Sequence, residues 1–191
     1  VFAAALLNSQ PMGFYAPAQI VRDAREHGIE VRPVDVNYSE WDCTLETGGG
    51  APDGPGGGYA LRLGFRQVKG VAEEDAEWLV AARGNGYRDP LSIWRRASIA
   101  APTLEKLARA DAFASMGMPR RDALWAIKPL RRTMSPLPLF AAAGAAELGE
   151  EPDVLLPRMT VGEEVVEDYA NLRLTLRSHP LRLLRHRLRQ T

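Results

Sequence analysis

Val68-Lys69-Gly70-Val71 is the sharpest local pattern in this 191-residue chain: a lysine and a glycine held between two hydrophobes. Glycine enters left-handed backbone conformations without the clash a Cβ would bring, so the chain can reverse tightly there. The reversal carries successive backbone N–H groups to the head of a helix expected from near Glu73, where the helix dipole favours an anion. Lys69 and Arg66 add positive charge, and a short apolar segment, Phe65 to Val68, leads in. The chemistry is the seating of a phosphate by Arg66, Val68, Lys69, Gly70, Val71 and Ala72. No base is read this way, since phosphates present the same oxygens at every step. Taken alone, a Lys-Gly step between apolar residues also serves as an ordinary turn between helices.

The pattern resembles the turn of a helix-hairpin-helix unit, and the outline recurs. A helix expected from Leu104 to Arg109 leads into Ala110-Asp111-Ala112-Phe113-Ala114-Ser115-Met116-Gly117, with Asp111 where the glycine belongs. An aspartate repels phosphate and tolerates the tight backbone less well than glycine, so this second turn reads as mainly structural.

Other side chains that do chemistry elsewhere have local explanations here. His27, His179 and His186 lack a second ligand at metal spacing and fit helix caps or the surface. Asp35, Asp42, Asp75 and Asp89 fit turn and cap chemistry, with no acid–base couple among them. Of Trp41, Trp78, Trp94 and Trp125, the last three sit at apolar positions of expected helices and are assigned to the core, Trp41 being left open. Cys43 is the single cysteine, which excludes an internal disulfide and any multi-thiolate metal site, fits a reducing cytoplasm, and reads as an inert small hydrophobe. Neither a catalytic residue nor a metal site is expected in the chain.

These residues need elements to position them. The chain is 46% hydrophobic and 25% charged, ordinary globular composition, and its 24 basic and 24 acidic residues cancel, so any nucleic-acid binding must come from local patches. The longest apolar run, Phe2 to Leu7, is far too short to span a membrane, and the chain reads as soluble. A first residue that is valine and a close inside an arginine-rich pattern give both ends the look of cuts from something longer. Helices are expected over Phe2 to Asn8, Ala18 to His27, Glu73 to Arg83, Pro90 to Ala97, Pro102 to Arg109 and Pro119 to Leu130, each marked by a proline, a cap or a glycine stop. Ile29-Glu30-Val31 and Leu61-Arg62-Leu63 alternate as short strands. Between them, 7 of the 11 residues from Gly48 to Gly58 are glycine and 2 are proline, a loop whose backbone entropy opposes fixed structure and which lacks the ending of a phosphate-binding P-loop. Pro129 to Pro138 and the acidic run Glu147 to Asp168 read as a linker and an acidic surface stretch. Arg173, Arg177, Arg182, Arg185, Arg187 and Arg189, interleaved with Leu181, Leu184 and Leu188, predict a basic amphipathic helix, either a phosphate-contacting surface or a face that packs on a further domain. The fold class is mainly α with a small β element, built around a tandem helix-hairpin-helix domain.

Ala3-Ala4-Ala5-Leu6-Leu7-Asn8-Ser9, Gly28-Ile29-Glu30-Val31-Arg32-Pro33-Val34-Asp35-Val36-Asn37 and Leu63-Gly64-Phe65-Arg66-Gln67-Val68-Lys69-Gly70-Val71 resemble consecutive blocks of the bacterial DNA polymerase III alpha family. Ala110 to Gly117 is similar to that family's second hairpin, and Leu176-Arg177-Ser178-His179-Pro180-Leu181 to a block before its oligonucleotide-binding barrel. Gln10-Pro11-Met12-Gly13-Phe14-Tyr15, Trp41-Asp42-Cys43 and Ala123-Leu124-Trp125-Ala126 look like the error-prone branch used in damage-induced translesion synthesis. The resemblance implies the end of a fingers domain over residues 1–60, duplex-DNA-gripping hairpins over 61–130, and a linker with a basic helix toward a barrel over 131–191. It implies a cytoplasmic DNA-directed DNA polymerase, a nucleotidyltransferase, whose catalytic aspartates and magnesium belong to a palm domain upstream, so that this chain is inactive alone. Partners implied are duplex DNA, a sliding clamp and accessory translesion proteins. In Pro136-Leu137-Pro138-Leu139-Phe140 the pair Leu139 and Phe140 matches the family's clamp peptide, while Pro136 stands where a glutamine is expected. The alternative is a protein-interaction module in which the hairpins are scaffold.

Overall fold

The computed structural model describes residues 1–50, 53, 54, 56–131 and 156–188. Helices α1 (Phe2–Asn8) and α2 (Pro17–Glu26) open the chain. Pro17 supplies the φ a first turn needs and lacks only an N–H that would have gone unpaired. The Gln19 side chain reaches back to the Ala16 N–H at 3.2 Å, and Gly28 stops the run at φ +77°.

Strands β1 (Val31–Arg32), β2 (Thr44–Thr47) and β3 (Tyr59–Arg62) form one sheet in the order β1-β3-β2. β1 runs parallel to β3 and β2 antiparallel to it, with Leu45 opposite Leu61. The two strands expected from sequence are β1 and β3; β2 is an addition, a half-exposed edge strand with more polar than apolar residues. Glu46 on β2 ties all three together, accepting from Arg62 Nε at 2.7 Å and Arg32 Nη1 at 2.7 Å. The Arg62 hydrogen bond, helped by Arg32 and opposed by burial, holds the Glu46 carboxyl below the usual carboxylate range. Fixed structure also enters the glycine-rich loop at its stem, where the amides of Gly48 and Gly49 donate to the Gly58 carbonyl at 2.9 and 3.0 Å. A Cβ on Gly49 would lie 2.2 Å from the Ala60 nitrogen, so that close approach requires glycine.

The helical layer follows: α3 (Glu73–Ala81), α4 (Pro90–Ala97), α5 (Ala101–Arg109) and α6 (Arg120–Ile127). Single 3₁₀ turns precede α3 (Phe65–Gln67), link α5 to α6 (Ala114–Met116) and follow α6 (Lys128–Arg131). Asp89 caps α4 by accepting from the Ser92 N–H at 2.6 Å, with Pro90 behind it. Two further helices are α7 (Val161–Leu172) and α8 (Pro180–Leu188). α7 corrects the expectation of an acidic surface stretch: Thr160 and Glu163 cap its start reciprocally, and Asp168 is 2% exposed. The basic helix begins at Pro180 and leaves Leu181, Leu184 and Leu188 exposed. One apolar core joins sheet and helices, with Leu7, Leu61, Phe65, Leu79, Leu104 and Phe113 among its members. No helix among the described residues is long and apolar enough to cross a membrane.

Candidate nucleic-acid interface

The first turn is built as its pattern requires. Val68 and Val71 are buried at 2% and 8% exposure and anchor the turn in the core, while Lys69, Gly70 and Ala72 are exposed. Gly70 takes φ +79°, the left-handed conformation that reverses the chain into α3. The amides divide into two sets. Val68 N–H donates to the Phe65 carbonyl at 2.9 Å, Lys69 N–H to the Asn171 carbonyl at 2.8 Å and Val71 N–H to the Val68 carbonyl at 3.3 Å. The amides of Gly70 and Ala72 meet no acceptor among the described residues, and those of Glu73 and Glu74 open a helix whose first turn has no intrahelical acceptor to offer. The backbone amides that meet no acceptor among the described residues are therefore those of Gly70 and Ala72, from the six residues read from sequence, together with the head of α3.

Arg66 stands apart from that set. Its guanidinium donates to the Asn8 carbonyl, bonds Asp42 Oδ1 at 2.5 Å and lies 5.9 Å from the centre of the Trp41 ring. It ties the end of α1 to the loop that leads into β2. In its place the structure brings Lys106, whose Nζ donates to the Gly70 carbonyl and lies 3.5 Å from where a Gly70 Cβ would stand. Lys106 comes from α5, 36 residues away in sequence, and no turn pattern announces it. Three carboxylates, Glu73, Glu74 and Asp75, occupy the first turn of α3, where they complement the dipole and oppose a phosphate.

The second turn repeats the backbone and reverses the chemistry. Asp111 takes φ +60°, matching Gly70, and the Ala112 N–H returns to the Leu107 carbonyl at 3.0 Å. Arg177 grips the Asp111 carboxylate at 2.5 Å, Asp168 at 2.8 Å and Glu164 at 3.1 Å. Burial pushes the Arg177 guanidinium down, and its bonds to Asp168 and Asp111 more than offset that, holding it above the usual range. Beneath lies Arg120, 1% exposed, donating to Glu164 at 2.5 Å and Asp168 at 2.6 Å. Asp35, also buried, accepts from the Ser115 N–H at 2.9 Å and hydroxyl at 2.7 Å and so fixes the 3₁₀ turn after the second hairpin.

The remaining sequence candidates resolve individually. His27 Nδ1 lies 2.9 Å from the Asp23 carbonyl at the end of α2, and His179 Nδ1 accepts the Leu181 N–H at 3.2 Å at the start of α8. Asp75 accepts from the Thr103 hydroxyl at 2.9 Å. Cys43 is buried, which pushes its thiol up, and its sulfur accepts from the Gly64 N–H at 3.5 Å. Core packing is corrected for two tryptophans: Trp78 is 56% and Trp125 44% exposed, the latter under Lys128 at 4.6 Å, whereas Trp94 packs on the core. No three histidine, cysteine or acidic residues that could hold a metal ion gather among the described residues. Leu139 and Phe140 lie outside the described residues.

A model of the helix-hairpin-helix motif matches residues 28–123, half of the chain, and takes in both turns. Three curated relatives are similar along almost the whole chain. An error-prone DNA polymerase of Ruegeria pomeroyi is 60% identical over 97% of the chain and 16% of its own length. An error-prone DNA polymerase 2 of Rhizobium meliloti is 56% identical over 97% of the chain and 17% of its own length. An error-prone DNA polymerase of Brucella abortus is 53% identical over 98% of the chain and 17% of its own length. The chain thus spans about a sixth of the length of the relatives it matches.

Proposed function

The chain belongs to the helix-hairpin-helix motif family, and we propose that it is the non-sequence-specific duplex-DNA-binding part of an error-prone DNA polymerase acting in damage-induced translesion synthesis. One observation carries the reading: an exposed Lys69-Gly70 turn, anchored in the core by Val68 and Val71, heads a helix, and its Gly70 and Ala72 amides meet no acceptor among the described residues. A duplex phosphate fits that arrangement because the donors are backbone groups, indifferent to sequence, and the charge is a solvent-exposed lysine. At the second turn Arg177 holds the Asp111 carboxylate at 2.5 Å, and that carboxylate opposes a phosphate. In the whole protein the palm domain, outside this chain, would carry nucleotidyl transfer and its magnesium. This part's task would be to hold the duplex.

The test is duplex binding by the chain across a salt series. Binding should fall steeply as salt rises, with little preference among sequences, and Lys69→Glu should weaken it on every duplex alike and flatten the log–log salt slope by about 1. Equal binding by the variant and the parent would defeat the reading.

A further inference from the structure

The last turn of α7 and the segment that follows it touch both hairpins. Asn171 accepts the Lys69 N–H of the first turn at 2.8 Å, and Arg177 grips Asp111 of the second at 2.5 Å. Between them the segment is pinned: Leu174 is 1% exposed, and the Thr175 hydroxyl donates to Asp168 at 2.7 Å. Arg173 ends α7 at φ +60°, in the left-handed region, and is exposed. Its guanidinium has no acceptor among the described residues.

Across the first turn stands α5. Lys106 reaches the Gly70 carbonyl, and Arg109 follows one helical turn later on the same face, about 4.5 Å along the axis. Arg109 is exposed and likewise meets no acceptor among the described residues. Four cations from three parts of the chain are thus presented: Lys69 in the turn, Lys106 and Arg109 on α5, of which Lys106 touches the Gly70 carbonyl, and Arg173, two residues after the Asn171 that holds the Lys69 N–H. The carboxylates of Glu73 and Glu74 at the head of α3 make that helix end a poor anion seat by itself, so the attraction must come from these side chains.

We infer that Lys69, Lys106, Arg109 and Arg173 form one phosphate-binding strip for the duplex backbone, with residues 171–177 as its outer wall. The second turn lies outside this footprint, because Arg177 already occupies the carboxylate that stands there. The inference rests on the duplex-binding reading and extends it from one turn to a surface.

Fluorescence anisotropy of the chain with a labelled mixed-sequence duplex, from about 50 to about 200 mM salt, tests it. Arg109→Gln and Arg173→Gln should each flatten the log–log salt slope by about 0.9, the value for one phosphate contact, and Arg173→Lys should restore it. Asp111→Asn should leave the slope unchanged. Parental slopes in both glutamine variants, with Lys69→Glu still weakening binding, overturn the strip and leave the duplex-binding reading in place. A changed slope in Asp111→Asn overturns the exclusion of the second turn. A parent chain that binds with no salt dependence overturns both proposals. Unfolding midpoints of the variants, expected to match the parent because these three arginine substitutions lie on the surface, separate lost contacts from lost fold.

Discussion

Gly70 and Asp111 hold the same backbone conformation and serve opposite ends: one leaves a bare turn beside a lysine, the other presents a carboxylate that an arginine closes. Gly70→Ala isolates the backbone contribution. The new Cβ would lie 3.5 Å from the Lys106 Cε and Nζ, ordinary contact with a movable side chain, so sterics add little. The left-handed conformation then costs an L residue about 1–2 kcal/mol, which should appear as a lower denaturation midpoint with an unchanged slope. A midpoint equal to the parent's would mean that the turn relaxes out of the left-handed region. Sequence identified Gly70 because glycine itself is the signal, and found the second turn because the outline repeats. The partners were out of its reach: Arg177 lies 66 residues from Asp111 and Lys106 lies 36 from Gly70, and no local pattern encodes a contact of that range.

At the scale of elements, α7 is the piece that brings residues 171–177 to the hairpins, and buried charge docks it. Asp168 accepts from Arg120, Arg177 and the Thr175 hydroxyl while only 2% exposed. Asp168→Asn keeps the shape and removes the charge, leaving Arg120 with Glu164 alone. Removing one partner of a buried pair costs roughly 3–5 kcal/mol, and the surviving Glu164 contact places this variant near 3 kcal/mol, about the low end. Thermal unfolding followed by circular dichroism measures the loss, and a melting temperature equal to the parent's would show that apolar packing alone docks α7. The network also explains what composition concealed. Eight acidic residues between Glu147 and Asp168 look like a solvated surface when counted, yet two of them are neutralised by Arg120 and Arg177, which a count cannot pair. Helix starts were readable because caps and prolines act within one turn, as Asp89 and Pro17 do. β2 was not, since an edge strand that shows half its residues to solvent carries too few hydrophobes to stand out. Trp78 and Trp125 were misplaced for a related reason: helical periodicity marks a face, and whether that face is covered depends on neighbours elsewhere in the chain.

The whole molecule carries 24 basic and 24 acidic residues, so its attraction for a polyanion depends on where the charges lie. Around the first turn two demands compete. The carboxylates of Glu73 and Glu74 stabilise α3 by complementing its dipole, and the same charges repel a phosphate approaching Gly70. Glu73→Gln with Glu74→Gln separates the demands, changing the balance to 24 basic against 22 acidic residues, a net charge of +2. Folding should weaken by about 0.3–1 kcal/mol for each lost charge–dipole interaction. Duplex affinity should move the other way, tightening several-fold at low salt. The gain should shrink toward about 0.15 M salt, where screening reaches across roughly 8 Å. Stability falling while affinity rises would identify those carboxylates as a stabilising feature kept at a cost in binding. An affinity that does not rise at low salt would place the bound phosphates beyond a screening length from the head of α3, and the seat at Gly70 would then have to be given up.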